Sequence, residues 1–225
     1  MAEVHGVAGE WARVKGTVVG LWPLFLGVFA GGVAMATAAF AHLLAGLVAT
    51  VVALGFVGWS LQRGMRRMER FYKGARGEER VAGILRCLPQ GYHVFNDFVA
   101  GRSHVDHVVV GPAGVFAVET KCWAGKVTVE EGHILLNGRL PDRPPLSQVL
   151  KEAAQVKAAL AAIGWEGYVT PVLTFASDTF VSHRAELQGA VVLNSSELLA
   201  SFATSRVVIP QIELDRLVRL IVNRA

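Results

Sequence analysis

Charge is absent from one long stretch of this 225-residue chain: residues 17–60 contain no Lys, Arg, Asp or Glu. One membrane crossing needs about 20 apolar residues, and buried helices of soluble proteins seldom stay uncharged for twice that length. The stretch is too long for one span and suits two, placed near 18–37 and 42–61 with a tight connection over 36–42. Trp22, His42 and Trp59 are expected at the interfaces, and Pro23 near the first helix's start, where a missing N–H costs least. A cleaved signal peptide fits poorly, because the apolar run is too long and a second span follows it.

Cysteine is scarce too. Cys87 and Cys122 are the two in the chain, which excludes a disulfide scaffold, and their positions match no zinc spacing. Cys87 is expected as a small core residue and Cys122 on the strand face opposite Lys121; neither is expected to be catalytic. There is no Walker-type phosphate loop, no nucleophilic serine motif and no internal repeat. Basic charge is short where a duplex-gripping domain would carry it: residues 77–225 hold 14 Lys and Arg against 15 Asp and Glu, a net −1, although the whole chain is +4. The excess lies instead at Arg63, Arg66, Arg67, Arg70, Lys73 and Arg76, set against Glu69, with Arg13 and Lys15 before the apolar stretch. By the positive-inside rule both flanks then face the cytoplasm, and the basic segment attracts anionic lipid headgroups.

What the chain does have is concentrated after this segment. Two apolar runs, VDHVVV (105–110) and VFAVETK (115–121), flank Gly111-Pro112-Ala113-Gly114 and predict a β-hairpin. If the four-residue joint closes it, Val110 faces Val115, and counting back sets Asp106 opposite Glu119. Two opposed carboxylates repel, whereas a divalent cation between them offers a reason for the pair, since oxygen donors suit Mg²⁺ or Mn²⁺. Strand alternation puts Lys121 on the Glu119 face. A Glu-x-Lys triplet also suits a solvated strand face, but these strands hold few other polar residues. Upstream, Gly77-Glu78 opens a helical stretch closed by Pro89; Val81, Ile84, Leu85 and Leu88 define its buried face, which also carries Glu78. That Glu is either a helix-dipole partner or a site ligand. His104 is expected opposite Lys121 and His107 on the other face, both as structural histidines.

The runs GARGEERVAGILRCLPQGYHVFNDF and VDHVVVGPAGVFAVETKCWAGKV resemble the NERD (nuclease-related) domain, a branch of the PD-(D/E)xK nuclease-like superfamily. The resemblance is carried by Gly77-Glu78, Asp106-His107, Gly111-Pro112, Gly114-Val115, Glu119-x-Lys121 and Trp123, over about 73–165. Gln148, after Pro144-Pro145, is similar to the family's Gln. Cys122 stands where a polar residue is usual, Val105 replaces the superfamily's Pro, and no Asn precedes the proline pair. The resemblance implies an α/β fold with a restriction-endonuclease-like core, a central mixed sheet flanked by helices, preceded here by two transmembrane helices. It also implies Mg²⁺ (or Mn²⁺) held by Asp106 and Glu119, with Glu78 a further ligand or water-positioning group, Lys121 assisting hydrolysis and Gln148 supporting the site. The expected organisation is a cytoplasmic tail (1–16), a transmembrane hairpin (17–61), a basic linker (62–76) and a NERD-like domain (77–225). The expectation is an inner-membrane, multi-pass protein with both termini cytoplasmic, whose domain hydrolyses phosphodiester bonds of DNA or RNA. The alternative is a non-catalytic tethered module that binds nucleic acid or a protein.

Overall fold

The computed structural model describes residues 1–40, 43–101, 103–182, 184–203 and 207–223. The chain divides into two compact units, Trp11–Lys73 and a second made of Met1–Glu10 with Gly74–Ala225.

The first unit holds α1 (Glu10–Phe40) and most of α2 (Leu43–Leu85). Both helices are long and apolar enough to cross a membrane. Their apolar side chains are mostly uncovered: Phe25, Val28, Phe29, Leu44 and Val51 are each at least two-thirds exposed. A soluble core helix would bury such residues. The two helices pack antiparallel through small residues. A Cβ on Gly16 would lie 2.8 Å from Phe71, and one on Gly46 2.4 Å from Ala38. Lys15 lies 5.8 Å from the centre of the Phe71 ring and Arg63 4.0 Å from that of Trp59, so cations meet aromatic faces where the apolar stretch gives way to charge. Two expectations need correction. Helix α1 begins eight residues before the expected span and continues to Phe40, so 36–40 is helix rather than connection, and Pro23 lies inside the helix, with Gly64 leaving room for its ring. Of the connection and the interfacial residues expected there, Ala41 and His42 lie outside the described residues.

Helix α2 has no break at 62–76; the residues read as a linker, and those read as a separate helix from Gly77, are one helix up to Leu85. Gly74 and Gly77 suggest an interruption on propensity grounds, but Gly77 has a packing role. A Cβ there would come within 2.9 Å of the Cys122 Cβ, so glycine lets the helix lie against the end of a strand. Cys87 lies just past the helix and is exposed, not in the core.

The second unit is a mixed α/β domain. A seven-stranded sheet runs in the order β1-β2-β3-β4-β7-β9-β8, from β1 (Glu3–His5), β2 (His93–Ala100), β3 (Ser103–Gly111), β4 (Gly114–Lys121), β7 (Val169–Phe175), β8 (Arg184–Leu187) and β9 (Ala190–Asn194). Strands β2, β3 and β4 are antiparallel neighbours; β1 joins β2, β7 joins β4 and β9 joins β7 in parallel, and β8 is antiparallel to β9. A separate ribbon pairs β5 (Val127–Glu130) with β6 (His133–Leu136). Helices flank the sheet: α3 (Pro145–Ala161) and α5 (Gln211–Val222) pack with Val108, Val110, Val115 and Ala117. The end of α2 and α4 (Leu198–Ala203) pack with Val94, Val109, Phe116 and Val118. The alternation of buried residues along β3 and β4 thus supplies both layers, as expected for a sheet covered on both faces. Asn194 and Glu197 form a capping box around a 3-10 turn before α4. Strands β1 and β8 were not expected from the sequence.

Candidate functional site

The hairpin register is the one the turn implies: Val110 pairs with Val115, Val109 with Phe116 and Val108 with Ala117. The ladder ends at His107 and Val118. One residue further on, Asp106 does not continue it. Its Oδ2 accepts a hydrogen bond of 2.8 Å from the Thr120 backbone N–H, so a carboxylate replaces the ladder carbonyl where the strands part. On β2, Asn96 pairs with His107 and Phe98 with Val105, so Asp97 stands at the level of Asp106. Asp97 adopts φ +48, an uncommon conformation for a non-glycine residue in a strand.

On β4, Glu119 is buried and Lys121 largely so. The Lys121 Nζ donates to Glu119 Oε1 and, at 2.8 Å, to Gln148 Oε1. Gln148 completes the ring, its Nε2 donating to Glu119 Oε1 at 2.7 Å and to Glu152 Oε1 at 2.8 Å. Gln148 arrives in the first turn of α3 because Pro145 occupies the first helical position and Pro144 the cap, both with the φ that starts a helix. Glu152 follows one turn later on the buried face of α3, beside Val149, Ala153 and Val156.

Burial and crowding raise the pKa of Asp106, Glu78 and Glu152. Asp106 is pushed well above the usual carboxylate range by burial, then by Glu119 and Glu78. Burial, Asp97 and Glu119 lift Glu78 to about 7. Burial and Glu119 lift Glu152 to about 8. Lys121 moves up despite its burial, because Glu119 beside it favours the ammonium. The Glu152 Oε2 is buried without a hydrogen-bond partner, which, with Glu119 nearby, favours the protonated carboxyl.

Crowded carboxylates that hold protons above their ordinary range suit a hard divalent cation, which would displace those protons and supply the missing positive charge. Asp106, Glu119 and Glu78 offer carboxylate oxygens, the donor type that such a cation takes. All five residues singled out in the sequence lie in this part of the fold: direct hydrogen bonds join Glu119, Lys121 and Gln148, and electrostatic coupling joins Asp106 and Glu78 to them.

A comparison with family models agrees with this geometry. Residues 73–176 match the model of the nuclease-related domain. That segment is similar to the NERD family over a little under half of the chain. No curated protein and no solved structure matches the chain. The matched segment contains every residue of the carboxylate cluster, from Glu78 to Glu152, while β1, β8, β9, α4 and α5 complete the sheet and its cover from outside it.

Sequence reasoning missed Asp97 and Glu152. Glu152 could have been found, since it falls three residues after Val149 and four before Val156, on an otherwise apolar helix face. Asp97 gives no local signal; its place depends on the β2–β3 register. His107 is the buried structural residue expected, bonded to Asn96 Oδ1 through Nδ1 at 2.8 Å, with burial pushing its pKa down to about 3. A separate group of Glu3, His5 and His93 offers a carboxylate and two imidazoles to one point elsewhere on the sheet.

Proposed function

We propose that this protein is a membrane-anchored nuclease whose NERD domain hydrolyses phosphodiester bonds of nucleic acid with Mg²⁺ or Mn²⁺. The observation that carries this reading is the junction of Asp106, Glu119 and Lys121 at the point where β3 and β4 part, inside a nuclease-related domain. Asp106 and Glu119 would hold the cation, with Glu78 as a third oxygen donor. A divalent ion so placed polarises a phosphoryl oxygen and makes bound water more acidic.

The chain's own residues supply the rest. Lys121 holds an ammonium beside Glu119, positioned to offset negative charge that builds on the phosphoryl oxygens. Gln148 keeps that ammonium and the Glu119 carboxylate in one orientation by bonding both. Glu152 shares its proton with the cluster and moderates the charge on Glu119.

The two apolar helices serve as the anchor in this reading. Basic flanks on both sides of the hairpin favour an inner-membrane protein with both termini in the cytoplasm, where the domain meets nucleic acid. Organised this way, residues 17–61 are the membrane hairpin and 77–225 the catalytic domain, with β1 drawn from the segment read as a tail. One observation favours a second reading, a tethered module that binds nucleic acid or a protein without cutting: residues 77–225 carry a net −1, a weak footing for a duplex. Mg²⁺-dependent cleavage of DNA and RNA by the purified full chain, set beside Asp106→Ala, separates the two.

A further inference from the structure

Strand β1 is three residues long, lies at the edge of the sheet and pairs with β2. Its register sets Glu3 against His93 and His5 against Phe95. Alternation puts Glu3 and His5 on one face, together with His93 and Phe95. The His5 ring stacks on Phe95 with centroids 4.5 Å apart and lies 5.9 Å from the His93 ring. A carboxylate oxygen of Glu3 and one nitrogen from each histidine lie within 4.8 Å of one another.

Two features distinguish this group from an ordinary surface cluster. The His5 Nε2 and the His93 Nδ1 are both buried and make no hydrogen bond. The His93 Nδ1 lies 3.3 Å from Glu3 Oε2 without the alignment of one. Buried polar atoms normally find partners, and two orphaned imidazole nitrogens beside a carboxylate share a simple one.

We propose that Glu3, His5 and His93 form a Zn²⁺ site that clamps β1 to β2. Two imidazoles and one carboxylate are a donor set that zinc accepts, and three protein donors leave a fourth tetrahedral position for water. Zn–N bonds of about 2.0–2.1 Å set tetrahedral donors roughly 3.3 Å apart, so closure needs side-chain movement of about an ångström. The exposed Glu3 carboxylate has that freedom. The site differs in chemistry from the carboxylate cluster, whose oxygen donors suit Mg²⁺, and its His93 lies four residues before Asp97 on β2. His5 also lines a cavity of about 480 Å³ with Phe95, Asp97, Leu160 and Ile221.

The test uses the full chain in detergent micelles, titrated calorimetrically with Zn²⁺ and spectroscopically with Co²⁺, with Mg²⁺ in excess throughout. The wild type and Asp106→Ala should each bind one Zn²⁺ alike, and Co²⁺ should give the visible bands of a tetrahedral site. His5→Ala and His93→Gln should each weaken Zn²⁺ binding by about a hundredfold and abolish the Co²⁺ bands. Glu3→Gln, whose side chain is too exposed to disturb the core, should weaken it by about tenfold. Wild-type binding that matches His5→Ala and Glu3→Gln, or Zn²⁺ binding lost in Asp106→Ala and retained in His5→Ala, would overturn the assignment.

Discussion

Raising the pH should destabilise the metal-free protein across a range where most proteins change little. In the folded chain Glu78 keeps its proton up to about 7 and Glu152 up to about 8, while an unfolded glutamate releases it near 4.5. Between those values the folded state binds more protons than the unfolded one, so stability is full below 4.5 and is lost as pH rises through 7 and 8. His107 acts in the opposite sense. Its folded pKa of about 3 lies below the unfolded 6.5, so its contribution is present above 6.5 and lost as pH falls towards 3. Comparing pH 6.5 with 8.5 therefore isolates the carboxyls. Over that window Glu152 gives up about 2 kcal/mol and Glu78 about 1 kcal/mol, and because the two titrate together the assay reads the total of about 3 kcal/mol. For a domain of this size that corresponds to a drop in Tm of roughly 6–12 °C. The assay is thermal unfolding of the full chain in detergent and EDTA, followed by circular dichroism, for wild type and Glu152→Gln. The variant should lose most of the dependence, and Mg²⁺ or Mn²⁺ should reverse the wild-type slope, because a cation binds the deprotonated carboxylates. A wild-type Tm that is flat or rises between pH 6.5 and 8.5 without metal would refute the account of the cluster.

Three other outcomes follow from the same structure. Lys121→Ala should leave Mn²⁺ affinity nearly intact in calorimetry while cutting single-turnover cleavage by about two to three orders of magnitude, and Lys121→Arg should restore little, because a planar guanidinium does not fill the place of a compact ammonium. Gly77→Val should lower stability by about 1–3 kcal/mol in denaturant titration, since α2 has no space for a side chain against Cys122; unchanged stability would mean that the helix does not approach β4 so closely. Reporter fusions at the two termini should both read cytoplasm, and a periplasmic C-terminus would point to a single span or an inverted pair.

The site was legible in the sequence where local rules decide position. The Gly111–Gly114 joint fixes the register of β3 and β4 as far as His107 and Val118, and the period of two puts Lys121 on the Glu119 face; Asp106, one residue beyond the ladder, accepts from the Thr120 N–H instead of pairing with Glu119. Pro144-Pro145 likewise marks where α3 begins and so where Gln148 falls. Long-range contacts decided the rest. Strand β1 has three residues, too few for their alternation to stand out, and it is held by the Glu3 N–H reaching the Tyr92 carbonyl and Asn96 Nδ2 reaching the Gly6 carbonyl. Strand β8, Arg-Ala-Glu-Leu, does alternate, with Ala185 and Leu187 packed on the core, but four residues at the sheet edge are too short a run to stand out in the sequence. Helix α2 passes through glycines that propensity alone would treat as a stop, because one of them is needed for packing. Since β1 comes from before the two long apolar helices and joins the sheet, a fragment starting at residue 73 would lack an edge strand, and the full chain is the better material for each assay.

The most direct test of the central claim is single-turnover cleavage of DNA and RNA by the full chain with Mg²⁺ or Mn²⁺, in parallel with Asp106→Ala. The account predicts metal-dependent cleavage by the wild type that chelation stops, with Asp106→Ala folded but inactive and no longer binding the cation. Cleavage that survives Asp106→Ala, or a folded, metal-loaded wild type that cuts none of the substrates, would contradict it.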